Sequence, residues 1–503
     1  MAKDGDLRTL TRSVASGGGS AFFQRIAGRV SILGFQVLLS RSLGVETFGL
    51  FAVAQSIFKM AHGLLSTGPM HAIVRFVSSR SERREWAEAK GRTIDGFALS
   101  VGLGGVAVVG LGIALQLGGR QFFGDTDVAI AALGLLICLP AYNALLLLSG
   151  LSRALGFVHL GIFAYDLLRP LLVIAVVGFV FLFRASLMNA VLGFVVATYL
   201  AVIVAGALVR RRLPSEMRAT RAKHDVPGVV RYSLLAAVSG IGLIVLSRVD
   251  RIMLGVMVGT TAAGVYTAAS LAALQVTLGM KSIEASFAPQ IAKLHGAGRK
   301  EDLADLYAVT SKWILSMTIL LTLPLLLFGR PILAIFGSGF AAGALALGVL
   351  AAGQLLRASI GCSAQLLLMT GHQRLEAVNN IVLVGANLLL NVLLIPRYEA
   401  LGAAAATAGS LLLLTGLRFV EIHRLLGLSP FCREMWKPLV AGIVAGAAGY
   451  VVTRAGMRLP FELLVGGSVV VLAYIAALLA LGLDEDYRDL WRTLVRRRGL
   501  SRE

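Results

Sequence analysis

Apolar runs of about twenty residues follow one another along almost the whole chain, separated by short charge clusters and Gly/Pro punctuation. A helix of that length, at about 1.5 Å per residue, matches the roughly 30 Å hydrocarbon core of a bilayer. The pattern predicts spans at 20–40, 46–72, 94–117, 128–150, 158–183, 186–209, 229–256 and 260–288, then 312–329, 341–370, 375–396, 400–422, 435–453 and 461–482. The first, second and eighth are the least hydrophobic. None alternates as a lipid-facing strand does, and only helices or closed barrels satisfy their backbone in lipid. The expected fold class is an all-α polytopic membrane protein with about 14 transmembrane helices.

Composition agrees. Of 503 residues 57% are hydrophobic and 15% charged, against about 25% charged in soluble domains. The longest polar stretches run to about twenty residues, too short for a soluble catalytic domain. Cys138, Cys362 and Cys432 lie far apart, without metal spacing or a disulfide framework, so apolar packing is their expected role and no metal site is expected. The first 19 residues are polar and basic, and no A-x-A site precedes the loop after the first apolar run, so signal cleavage is not expected.

The net charge of +20 is mostly topology. With the N-terminus inside, inner loops, tails and adjoining span ends hold 32 of the 47 Lys and Arg residues, among them Arg80, Arg83, Arg84, Arg210–Arg212 and Arg496–Arg498. The outer loops hold seven: Arg41, Arg120, Arg184, Arg330, Arg397, Arg454 and Arg458. That bias predicts cytoplasmic termini. The charge has no folded platform for nucleic acid, and no such partner is expected.

Residues 44–58 (GVETFGLFAVAQSIF) and 259–273 (GTTAAGVYTAASLAA) share a Gly, an apolar–aromatic pair and a small-residue helix. At this offset of 215 residues the charged loop 78–92 falls opposite 293–305. Spans one to six thus read as a parallel repeat of spans seven to twelve, the plan of two-lobed transporters with the substrate between the lobes. The expected organisation is a cytoplasmic segment 1–19, an N-lobe 20–209, and a basic cytoplasmic linker 210–228 containing Pro214 and Pro227. A C-lobe 229–425, two extra helices within 426–482 and a basic tail 483–503 follow.

Eight bases interrupt the spans: Arg25, Arg29, Lys59, Arg169, Arg248, Arg251, Lys281 and Arg357. Three carboxylates, Asp166, Asp250 and Glu284, oppose them. A charge at the bilayer centre costs roughly 2.5–3.5 kcal/mol even on the lenient insertion scale. The cheaper arrangement turns the bases toward a water-filled cavity that receives an anion. Arg25 and Arg29, four apart, share a helix face and can fork onto a diphosphate; snorkelling to headgroups competes, since they sit one or two turns into the span. Lys59 adds a point charge. Arg248 and Arg251 share a face of span seven, with Asp250 elsewhere on the wheel, and an outer-interface ion pair is the equal alternative. Lys281 and Glu284 either neutralise one another or form a pair that opens with protonation. Asp166 and Arg169, before Pro170, read as a structural pair.

Gln354, Arg357, Gly361 and Gln365 fall on one face of span ten, and Asn380, Asn387 and Asn391 on one face of span eleven, where amides glue helices more often than they bind sugars. His62 and His71 are candidate proton carriers, and Asp166, Asp250 and Glu284 are candidates for coupling to a proton or sodium gradient. Gly102, Gly104 and Gly105 favour close helix packing. Gly17–Gly19 follow no strand and there is no Walker loop, so neither ATP, another cofactor nor an enzymatic activity is expected.

Several stretches resemble the Wzx-like polysaccharide-transport flippases of the multidrug/oligosaccharidyl-lipid/polysaccharide exporter superfamily. They are SRSLGVETFGLF at 40–51, VDRIMLG at 249–255 leading into GVYTAA at 264–269, FAPQIAKL at 287–294, MTG at 369–371, NLLLNVLLIPRY at 387–398 and GAAAAT at 402–407. The resemblance covers roughly residues 15–425. It implies a two-lobed bundle around a central cationic cavity built largely from spans one, two, seven and eight, where six of the eight bases fall. It also implies alternating-access transfer of undecaprenyl-diphosphate-linked oligosaccharide across the bacterial inner membrane, for O-antigen, capsule or exopolysaccharide. The partners expected are that lipid-linked sugar, the bilayer and a polymerase or export machinery, and the cavity within one chain makes a monomer the expected state. On this reading Arg25, Arg29, Lys59, Arg248, Arg251, Lys281 and Arg357 bind the diphosphate. Rivals are a lipid II flippase, which differs in headgroup alone, a drug or cation antiporter, which the excess of buried bases opposes, and a non-transporting scaffold, which would tolerate their loss.

Overall fold

The computed structural model describes residues 2–123, 126–457, 459 and 461–482. The expected basic tail 483–503 lies outside them. The helices are α1 (Ala2–Glu82), α2 (Trp86–Phe123), α3 (Thr126–Leu136), α4 (Leu139–Ala154), α5 (Val158–Ile162), α6 (Arg169–Phe181), α7 (Leu187–Arg212), α8 (Ser215–Ala219), α9 (Val226–Leu246), α10 (Val249–Met257) and α11 (Thr260–Ala273). They continue with α12 (Thr277–Gly296), α13 (Lys300–Leu327), α14 (Gly329–Ala334), α15 (Ala344–Ala358), α16 (Ser363–Met369), α17 (Gln373–Leu426), α18 (Trp436–Arg454) and α19 (Phe461–Ala480). A π-helical turn, Phe163–Leu168, joins α5 to α6. No strand occurs among the described residues.

Among those residues nine helices are long and apolar enough to cross a membrane, or ten with the bent pair α3–α4. Two are far too long for one crossing: Ile26–Glu82 has 57 residues and Gln373–Leu426 has 54, each longer than two bilayer cores at about 1.5 Å per residue. Each breaks where the sequence predicts a loop. Gly44 takes φ 78°, open to glycine without strain, and Glu399 takes φ 50° three residues after Pro396. Each therefore reads as two crossings.

Length and composition do not reach fourteen, because other expected spans are interrupted. Span four bends by 43° between α3 and α4, where Pro140 lacks the N–H that would continue the ladder. Span seven breaks at Ser247–Arg248, and a 3-10 turn, Leu274–Val276, cuts span eight. Span ten ends its first helix at Ala358, and Gly361 has φ 56°. The expected stripe of Gln354, Arg357, Gly361 and Gln365 therefore does not run along one helix. Of the three glycines in span three, Gly104 packs against Pro140 and Asn143, whereas Cβ atoms at Gly102 and Gly105 would meet nothing.

The chain forms two compact units, Met1–Gly264 and Val265–Glu503. The first takes in α9 and α10, beyond the expected N-lobe, because small residues let them lie on the second half of α1. A Cβ at Gly63 would stand 2.8 Å from Ile244 Cγ2, one at Gly255 2.7 Å from Val53 Cγ2, and one at Gly68 would overlap the Ser233 carbonyl. Part of the expected basic linker, residues 223–225, is bonded to α2. Lys223 N–H donates to the Ala87 carbonyl (2.9 Å), Arg92 pairs with Asp225 (2.8 Å), and Asp95 accepts from His224 Nδ1 (2.6 Å) and Asp225 N–H (2.8 Å).

The repeat has a physical counterpart inside this unit. Gly49 and Gly264, equivalent at the offset of 215 residues, meet face to face. A Cβ at Gly264 would stand 2.5 Å from the Val45 carbonyl oxygen and 3.2 Å from Gly49 Cα; one at Gly49 would overlap the Thr260 carbonyl. Val45 and Thr260 are themselves equivalent at that offset. The contact is reciprocal, as a local two-fold requires.

In the second unit the halves of α17 pack antiparallel about Glu399, with Gly402 against the Leu394 carbonyl. The two extra helices α18 and α19 dock on α13 through Leu315, Ile319, Ala441, Ala445 and Val470, and Ser316 meets Tyr474 hydroxyl to hydroxyl at 2.9 Å.

Candidate functional site

The second half of α1, α4, the π-helical turn, α6 and the α9–α10 junction bring Lys59, Arg169, Arg248 and Arg251 within electrostatic reach of one another in the first unit. Lys59 Nζ donates to Gln55 Oε1 at 2.8 Å. Arg169 is 7% exposed, with its guanidinium 4.6 Å from the Tyr142 ring centre and 5.7 Å from that of Tyr165, and its Nε has no hydrogen-bond partner. Arg248 occupies the break before α10, and Asp250 and Arg251 are buried in the following turn. No carboxylate pairs with Lys59, Arg169 or Arg248 among the described residues.

An aromatic wall backs these cations. Tyr142 lies edge-on to Phe58 (5.2 Å), His62 (4.4 Å) and Tyr165 (5.9 Å) and stacks on Phe194 (6.4 Å). His62 Nδ1 meets Asn143 Oδ1 at 2.7 Å and its Nε2 meets the Tyr165 hydroxyl at 3.5 Å. His62 is thus built into the wall, whereas His71 is exposed.

A cation–π contact supplies about 0.5–2 kcal/mol and a charged hydrogen bond about 1.5–3 kcal/mol. Taking an ion out of water costs several kcal/mol per charge. The cluster therefore lacks negative charge, and an oxyanion ligand placed here offsets the deficit. Several guanidinium N–H groups and one ammonium match the many oxygens of a diphosphate.

Three of the seven cations expected to bind diphosphate, Lys59, Arg248 and Arg251, belong to this cluster. The Arg25 side chain is outside the described residues; Arg29 is exposed on the first half of α1. Arg169 does not pair with Asp166. The π-helical turn between them changes the angular spacing that an α-helix would give, and close contact of Gly28 with the Asp166 carbonyl seats this turn on α1. In the second unit Lys281 is exposed, and Glu284 has Arg357 of α15 as its strongest electrostatic neighbour, ahead of Lys281 and Arg418. Lys281 and Glu284 do not form an ion pair. Asn391 Nδ2 donates to Asn387 Oδ1 at 3.0 Å, both fully buried within α17, while Asn380 Nδ2 donates to Glu376 Oε1 at 3.3 Å.

Two charged residues of the second unit escaped the sequence reading. Arg418 grips Glu376 with two hydrogen bonds, Nε to Oε2 at 3.0 Å and a second to Oε1, and both side chains are buried. Asn379 Nδ2 donates to Glu421 Oε2 at 2.6 Å beside them. The signal was available: 376 and 418 stand at similar distances on either side of the Pro396–Glu399 break.

Residues 16–295 match the family model described as "Polysaccharide biosynthesis protein". No curated protein matches the chain by sequence. Among solved structures, the lipid II flippase MurJ in its inward closed conformation is similar over 94% of this chain and 99% of its own, with 14% identity and a TM-score of 0.72. An inward-facing multidrug resistance MATE family transporter of the MOP superfamily is similar over 81% and 94%, with 16% identity and a TM-score of 0.62. The Vibrio cholerae MATE transporter VcmN in the bent form is similar over 83% and 98%, with 16% identity and a TM-score of 0.52. At these identities the structures speak for the fold, and the family match covers more than half the chain. The chain belongs to the polysaccharide biosynthesis protein family and is a multi-pass membrane protein with the fold of the lipid II flippase MurJ and the MATE transporters.

Proposed function

We propose that this chain flips polyprenyl-diphosphate-linked oligosaccharide across the bacterial inner membrane, both termini cytoplasmic, by alternating access between two six-helix lobes in parallel repeat. The observation that carries the reading is the cluster of Lys59, Arg169 and Arg248, three cations without a carboxylate partner against an aromatic wall. A diphosphate supplies the missing charge. The prenyl chain stays in lipid. Arg251 supports the cluster; Arg25, Arg29, Lys281 and Arg357 serve the entry and exit of the headgroup, and Glu284, Asp250 or Asp166 couple the cycle to an ion. A cation antiporter needs the opposite sign of charge at this place.

The test is extraction of lipid-linked oligosaccharide from cells lacking this chain, with surface polysaccharide scored in parallel. Accumulated diphosphate-linked repeat and lost surface polymer support the reading; unchanged intermediates and polymer refute it. A lipid II flippase is the second reading, favoured by the match to MurJ over 94% of the chain. It predicts accumulated lipid II and arrested wall synthesis in the same extracts.

A further inference from the structure

The basic end of α7 carries a groove that transport leaves unused. Its floor is the outward face of the last turns, Ile203, Gly206 and Ala207, and its rim is Arg210, Arg211 and Arg218, enclosing about 540 Å³. A Cβ at Gly206 would meet nothing within 4 Å, so the floor is open. Ile203 is 66% exposed on a helix that crosses the membrane, which makes the floor continuous with the lipid-facing surface.

The rim is held by structure. Arg218 belongs to α8, whose Met217 is buried with Val77, Leu147 and Val209. Lys90 Nζ donates to the Arg218 and Thr220 carbonyls, each at 2.8 Å. This fixes α8 beside the end of α7. None of the three rim arginines pairs with a carboxylate among the described residues.

We propose that this groove binds one glycerophospholipid with an anionic headgroup, an acyl chain along Ile203, Gly206 and Ala207 and phosphate among the three guanidiniums. The charges are complementary, and the basic helix end stands where the headgroups of that leaflet lie. A free phosphate makes no use of the apolar floor. A headgroup with two phosphates suits the three guanidiniums best. Such a lipid joins α7 to α8 and so steadies the strap over Ala87–Asp95, a role separate from the substrate's.

Native mass spectrometry of the purified full-length chain in mild detergent tests this. It is titrated separately with phosphatidylglycerol, a two-phosphate diacidic glycerophospholipid, phosphatidylcholine, inorganic phosphate and a polyprenyl diphosphate. The expected result is retention of the acidic glycerophospholipids over phosphatidylcholine, falling about fivefold for each of Arg210→Gln, Arg211→Gln and Arg218→Gln. Gly206→Leu, whose Cβ meets nothing within 4 Å, should abolish retention without lowering the unfolding temperature of the lipid-free protein. Equal retention of phosphatidylcholine, indifference to Gly206→Leu, or displacement by inorganic phosphate alone overturns the proposal. Preferential retention of the polyprenyl diphosphate makes the groove a substrate entrance and overturns it too.

Discussion

Replacing Gly264 by alanine puts a methyl carbon 2.5 Å from the Val45 carbonyl oxygen and 3.2 Å from Gly49 Cα. An ordinary carbon–oxygen contact is about 3.3 Å or more, so the crossing of α1 and α11 must open by about 0.8 Å. Both obstacles are backbone and cannot swing aside. Overpacking of this kind costs about 1–3 kcal/mol, and the better helix propensity of alanine returns at most about 1 kcal/mol. The net expectation is a loss of about 1–2 kcal/mol. Gly102→Ala is the matched control: nothing lies within 4 Å of its Cβ, so it gains up to about 1 kcal/mol. Thermal unfolding in one detergent should order the proteins Gly102→Ala, wild type, Gly264→Ala from most to least stable, and transport by Gly264→Ala should fall with the strained crossing. If Gly264→Ala unfolds with Gly102→Ala, the reciprocal glycine contact is not a structural constraint.

Three further outcomes follow from named contacts. Arg169→Gln keeps a polar side chain and removes the charge over Tyr142, and should cut flipping about tenfold or more; Arg169→Lys, without a planar guanidinium to stack, should restore only part. In the second unit Glu376→Gln strands the buried Arg418 and should destabilise by about 3–5 kcal/mol, whereas the double change Glu376→Leu/Arg418→Leu should cost much less, a difference read from a double-mutant cycle. Glu88, in the first turn of α2, has its carboxyl held below the usual range by the Lys223 ammonium, which bonds it at 2.8 Å. Its contribution is complete above the unfolded carboxyl value of about 4.3 and fades as pH falls through the lower folded value. Hydrogen-exchange protection factors at residues 219–225 should therefore fall below pH about 4 and be flat near neutrality.

Much of the architecture could be read from sequence because its causes are local. Gly44 and the Pro396–Glu399 turn break two long helices where punctuation predicts, and bases within apolar runs flagged Lys59, Arg248 and Arg251. What escaped depends on departures from the ideal helix or on distant partners. Arg169 looked like a mate for Asp166 only under α-helical spacing, and the π-helical turn turns it onto Tyr142. The breaks at Ser247–Arg248 and near Gly361 carry no proline, so hydropathy ran straight through them. Glu376 and Arg418 sat at span ends, where charge is ordinary, and their pairing requires the α17 hairpin.

The most direct measurement reconstitutes the full chain in vesicles with a fluorescent polyprenyl-diphosphate oligosaccharide and follows its leaflet by quenching, beside a lipophilic organic cation and the triple variant Lys59→Gln/Arg169→Gln/Arg248→Gln. The account predicts that the wild type equilibrates the lipid-linked sugar between leaflets, leaves the cation alone, and loses transfer in the folded triple variant. Transfer undiminished in that variant, or movement of the cation in place of the sugar, would contradict it.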